Sequence, residues 1–171
     1  MPGSQLITNA SSLADVAAKR DRRYARVMGF AEIEAMPRLE FSKGCESAVF
    51  VSRERDDARY FYLGMCFHGA DMEDFVWEQV SWDEAFYCIK GRLGLHIRDG
   101  EDNESELFIE EGEHVYVPAG YWYTLKATGI DSLNYWIMSP SAKVGLAPMH
   151  QTGIPEAPQY AKTLRAMRDE S

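Results

Sequence analysis

Between Arg38 and Met138 the chain alternates short apolar runs with clusters of polar and turn-forming residues: "SAVFVS", "RYFYLGMCF", "DFVWEQV", "EAFYCIK", "LGLHIR", "ELFIE", "HVYVP", "YWYTLKA" and "SLNYWIM". The runs are rich in aromatic and β-branched residues, and "RDGEDNES" and "EEGE" punctuate them, a pattern that predicts an antiparallel all-β sandwich or barrel. Strands do not alternate with helical segments, which disfavours a parallel α/β sheet. Upstream, "SSLADVAAKRDRRYARVMG" spaces Leu13, Val16, Ala17, Tyr24, Val27 and Met28 at helical intervals, so an amphipathic helix closing at Gly29 is expected. Pro37 marks a break. The tail "APMHQTGIPEAPQ" reads as extended, and "YAKTLRAMRDE" as one short closing helix. The expected organisation is an N-terminal helical arm over residues 1–37, a β-barrel over 38–140 and a tail with a short helix over 141–171.

Charge and cysteine usage narrow the function classes. Lys and Arg total 18 against 27 Asp and Glu, a formal charge of -9 that repels phosphate backbones and argues against nucleic-acid binding. No apolar run approaches the roughly 18 residues a membrane-spanning helix needs. Cys45, Cys66 and Cys88 are odd in number and widely spaced, which suits reduced thiols in a cytoplasm better than a disulfide framework.

Two spacings carry more than composition does. Glu84 is followed six residues later by a Gly91 turn, and in "GEHVYVPAGYWY" Gly112 is followed by Pro118, Ala119 and Gly120. Glycines permit tight turns between strands, and the Pro-x-Gly corner redirects the chain into the next strand. Together these motifs resemble the paired motifs of the cupin family, small jelly-roll barrels, over residues from about 60 to 140. Typical cupins place three histidines around the conserved glutamate to hold a divalent metal. Glu78, Val80 and Tyr123 stand at the corresponding positions here, so only Glu84 is retained and a three-histidine centre is excluded. Within the superfamily, Trp77, the step Trp82, Asp83 and Glu84, the turn Ile89, Lys90 and Gly91, and the strand from Tyr135 to Pro140 resemble the ethanolamine-utilisation protein Q branch, the EutQ-like cupins. That resemblance implies acetate kinase activity with a nucleotide and magnesium. Phe86 departs from it, standing where the branch tends to carry an acidic residue.

Strand alternation predicts what the barrel encloses. If Glu84 faces inward, so do Phe86 and Cys88, and Glu78, Val80 and Trp82 share that parity. A one-residue slip in the strand at 74–80 would turn Trp77 and Gln79 inward instead. Two chemistries follow. In one, Glu84 is a general acid or base, its pKa raised by burial, with Tyr123 and Glu78 as partners. In the other, Glu84 and Glu78 join His68, His96 or Tyr123 around magnesium, manganese or iron(II). Trp82, Phe86, Cys88, Trp122 and Trp136 are the candidate substrate-binding residues. The expectation is a small cytoplasmic homodimer performing lyase or isomerase-type chemistry on a small organic molecule, with acetate-kinase-like phosphotransfer and non-catalytic ligand binding as the alternatives.

Overall fold

A computed structural model describes residues 27–58, 60–74, 78–79, 82–139 and 166. A short helix α1 (Phe30–Glu34) precedes strands β1 (Leu39–Ser42) and β2 (Cys45–Val51), and one helical turn α2 (Arg53–Asp56) leads to β3 (Tyr62–His68). Then follow β4 (Glu78–Gln79), β5 (Asp83–Lys90), β6 (Arg92–Arg98), β7 (Glu104–Glu110), β8 (His114–Val117), β9 (Trp122–Lys126) and β10 (Ser132–Ser139). The expected all-β organisation is found. The helix expected to end at Gly29 lies almost wholly outside the described residues, as do most of the closing helix and the Pro-rich tail. Gly29 opens a helix here: it is extended at the N-cap of α1, and its N–H donates to Glu32 Oε2 at 2.8 Å.

The strands form two antiparallel sheets, a six-stranded one ordered β1-β2-β3-β10-β5-β8 and a four-stranded one ordered β4-β9-β6-β7. Period-two alternation divides each strand between an interior and an exterior. On β5, Glu84, Phe86 and Cys88 are buried, while Asp83 and Tyr87 are exposed. The interior is an apolar cluster drawn from both sheets, including Val49, Tyr62, Phe86, Leu93, Leu95, Val117, Leu125 and Trp136. The outer face of β2 and β3 is covered as well: Ile33 and Met36 pack on Ala48, Phe50 and Met65. This second layer explains why β2 reads as a nearly continuous apolar run rather than an alternating one. No helix among the described residues is long and apolar enough to cross a membrane.

Two glycines are required by close approach. Gly91, at φ +79°, turns β5 into β6 directly against the main chain of Asp131. Gly64 lies in register with Trp136, and a Cβ there would meet the indole ring and come within 2.6 Å of the Ala48 carbonyl oxygen. The indole can cross the interior only because Gly64 has no side chain. Gly64→Ala is therefore expected to cost about 1–3 kcal/mol through overpacking. Urea unfolding should show a lower midpoint with an unchanged slope.

Candidate functional site

The interior-facing residues of the larger sheet fall into cross-strand rows. At one end Val117, Glu84, Met138 and Tyr62 stand side by side on β8, β5, β10 and β3. The next row is apolar: Val115, Phe86, Trp136, Gly64 and Val49. Glu84 is 4% exposed, so its carboxylate is held inside rather than at the rim. Tyr123, 8% exposed and carried by β9 of the facing sheet, donates its hydroxyl to Glu84 Oε2 at 2.9 Å. Facing sheets lie about 10 Å apart, a gap that a tyrosine and a glutamate together can bridge. The Tyr123 ring meets Phe86 edge-on, with centroids 5.9 Å apart and planes at 73°.

Other sequence-predicted residues fall at varied distances from this pair. Glu78 lies opposite Tyr123 in the β4–β9 register. Trp82, which precedes β5, is buried, and its Nε1 has no hydrogen-bond partner among the described residues. Trp136 is buried in the middle of the interior and donates Nε1–H to Ser47 Oγ at 2.8 Å. Cys88 is fully buried near the Gly91 turn, four residues from Glu84 along β5 and so about 13 Å away. Trp122 departs from its expected place. Tyr123 faces inward, so alternation along β9 turns Trp122 to the outer face, where the Arg98 guanidinium lies 5.4 Å from its ring centroid.

The expected grouping of His68 with Glu84 and Glu78 is not made. His68 is at the opposite end of β3 from Tyr62, which shares the row of Glu84, so about 20 Å of strand separates them. His96 faces outward toward Glu104, its Nε2 3.5 Å from the carboxylate, and His114 is exposed on β8. His150 lies outside the described residues. Among the described residues no three His, Cys, Asp or Glu side chains converge as metal ligands. The carboxylate that could serve instead accepts a phenol hydrogen bond on Oε2. Glu84 is therefore not joined by two further ligands of these types among the described residues, to which the Glu78 side chain does not belong.

A second polar group occupies the far end, unannounced by any motif. His68, Ser132 and Asn134 are all buried. His68 Nδ1 lies 3.3 Å from Ser132 Oγ and 3.2 Å from Asn134 Nδ2, and Asn134 Nδ2 donates to Ser132 Oγ at 3.0 Å. These contacts depend on the β3–β10 register, which pairs His68 with Ser132. Burial depresses the His68 pKa from 6.5 to about 4, so the ring is neutral near pH 7. Burial likewise pushes the Cys45 thiol up to about 12 and raises that of Cys66 well above the ordinary range, so neither is an activated nucleophile.

The His68 shift fixes the sign of a pH effect. The unfolded chain binds a proton near pH 6.5 and the folded one only near pH 4, so stability is lost as pH falls through that window. The full loss is on the order of 3 kcal/mol. Wild type should lose that much more than His68→Gln between pH 7 and pH 4 in chemical denaturation, and equal losses in the two proteins would refute the neutral buried ring.

No protein-family model matches the chain, and no curated protein matches it in sequence. Solved structures do match in fold. An oxalate decarboxylase mutant from Bacillus subtilis superposes with a TM-score of 0.56 at 13% identity over 73% of this chain. This chain covers 33% of that one, a third of its length. A putative ethanolamine utilization protein Q from Salmonella typhimurium gives 0.52 at 16% identity, over 68% of this chain and 86% of that one. The Cnp3 cupin domain of Schizosaccharomyces pombe gives 0.52 at 14% identity, over 68% and 76%. With two antiparallel sheets enclosing an interior glutamate, and with these structural neighbours, the chain has the cupin fold.

Proposed function

We propose that this cupin acts on a small organic molecule by non-oxidative proton transfer, of the lyase or isomerase type, with Glu84 as the acid-base group. The observation that carries this reading is the buried hydrogen bond from the Tyr123 hydroxyl to Glu84 Oε2. A carboxylate held by a phenol in a low-dielectric interior has one orientation and little competing water, the conditions under which a positioned base is effective. Glu84 removes a proton from the substrate and returns it either at another carbon, in an isomerisation, or to the group that departs as the double bond forms, in an elimination. Tyr123 holds the carboxylate throughout and steadies the charge that moves between it and the substrate. The Trp82 Nε1–H supports the same reading, since a buried donor with no acceptor among the described residues suits a ligand oxygen. Phe86 supplies an apolar wall.

Manganese is named for the Bacillus subtilis oxalate decarboxylase, which has Mn(II) centres. The described residues of the present chain bring no three His, Cys, Asp or Glu side chains together, and the proposed steps use side chains alone.

The test is a panel of small hydroxy, keto and dicarboxylic acids incubated in deuterated water and followed by NMR for isotope exchange or product. Glu84→Gln should lower turnover by a factor of about 100 to 10,000, with the fold retained by circular dichroism. Tyr123→Phe should have a smaller effect in the same direction. Unchanged turnover in folded Glu84→Gln would end the acid-base reading. Ligand binding without turnover, unaffected by Glu84→Gln, would favour the binding-module alternative, and turnover only with ATP and magnesium the phosphotransfer one.

A further inference from the structure

The group formed by His68, Ser132 and Asn134 lies about 20 Å of strand from Glu84, and the proposed chemistry does not use it. Its hydrogen bonding is incomplete in an informative way. His68 Nε2 and Asn134 Oδ1 are buried, and neither has a hydrogen-bond partner among the described residues. With Asn134 Nδ2 donating to His68 Nδ1 and Ser132 Oγ, the ring carries its proton on Nε2. One donor, Nε2–H, and one acceptor, Oδ1, are then left over. Exchanging the amide oxygen and nitrogen of Asn134 reverses every role: Nδ1–H and the Ser132 hydroxyl donate to the amide oxygen, leaving Nε2 as an acceptor and the amide N–H as a donor. Either way the group presents one unsatisfied donor and one unsatisfied acceptor.

A buried polar atom left without a partner costs roughly 1–3 kcal/mol, so two in one cluster point to an occupant. Its chemistry is constrained. The occupant must accept one hydrogen bond and donate another, which a bare cation or a carboxylate anion cannot do. Its surroundings in the neighbouring rows include the side chains of Cys45, Cys66, Cys88, Ser47 and Leu39, and burial raises the pKa of each thiol, so none offers a counter-charge at neutral pH. An ion there would be desolvated without compensation. We propose that this end of the interior is a built site for a small neutral hydroxyl group, bound between the outer nitrogen of His68 and the amide of Asn134. Water is the smallest molecule with that chemistry, and a short-chain alcohol is the other source.

A crystal structure of the full chain at about 1.5 Å or better, grown without alcohols, should show oxygen density at hydrogen-bond distance from His68 Nε2 and from the outward amide atom of Asn134, filled by one or two bridging waters. In solution, the His68 ring proton should cross-relax with water. A methanol titration should shift the His68 ring resonances in wild type but not in Asn134→Leu if the site admits alcohol, and in neither protein if it holds only water. His68→Phe with Asn134→Leu, which removes both unsatisfied atoms, should fold and lose the bound water. An empty space beside Nε2 would overturn the proposal, as would a protein group from outside the described residues bonded to it.

Discussion

A carboxylate enclosed between two sheets is the constraint around which the rest of this structure is arranged. Removing a carboxylate from water is costly, and it is tolerated only where the protein replaces the lost hydrogen bonds. Glu84 comes from β5 of the larger sheet and Tyr123 from β9 of the smaller one, so their bond is also a fastening between sheets. A slip of one residue on either strand would turn one of the two groups outward. The packing of Phe86 against the Tyr123 ring holds the phenol where it can reach the carboxylate.

The interior is accordingly two-ended. The row Val115, Phe86, Trp136, Gly64 and Val49 is an apolar floor beneath Glu84, and it can be continuous only because Gly64 gives the Trp136 indole room. Below that floor, the indole N–H is taken up by Ser47, and the next rows hold the neutral His68 with Asn134, Ser132 and protonated thiols. The carboxyl group and its phenol partner therefore lie at one end, and neutral hydrogen bonding at the His68 end.

Much of this was legible in the sequence because it depends on short-range rules. The alternation in "EAFYCIK" places Glu84, Phe86 and Cys88 on one side and Tyr87 on the other, as the structure does. The Gly91 turn was readable from a single glycine at the end of a strand. What was not legible depends on register between distant strands. Nothing near His68 in sequence announces Ser132 and Asn134, which are more than sixty residues away and meet it only through the β3–β10 pairing. The grouping of His68 with Glu84 failed for the same reason: residue type suggested ligands, but position along β3 puts the imidazole at the wrong end. Trp122 and Tyr123 were both assigned to the site, yet alternation along β9 sends adjacent residues to opposite faces.

The most direct test of the central claim is a double-mutant cycle on Glu84→Gln and Tyr123→Phe, with stability measured by denaturant unfolding at neutral pH. A hydrogen bond to a buried carboxylate predicts a coupling energy of about 1.5–3 kcal/mol between the two positions. Effects that add to within about 0.5 kcal/mol would mean that phenol and carboxylate act independently, and would contradict the account.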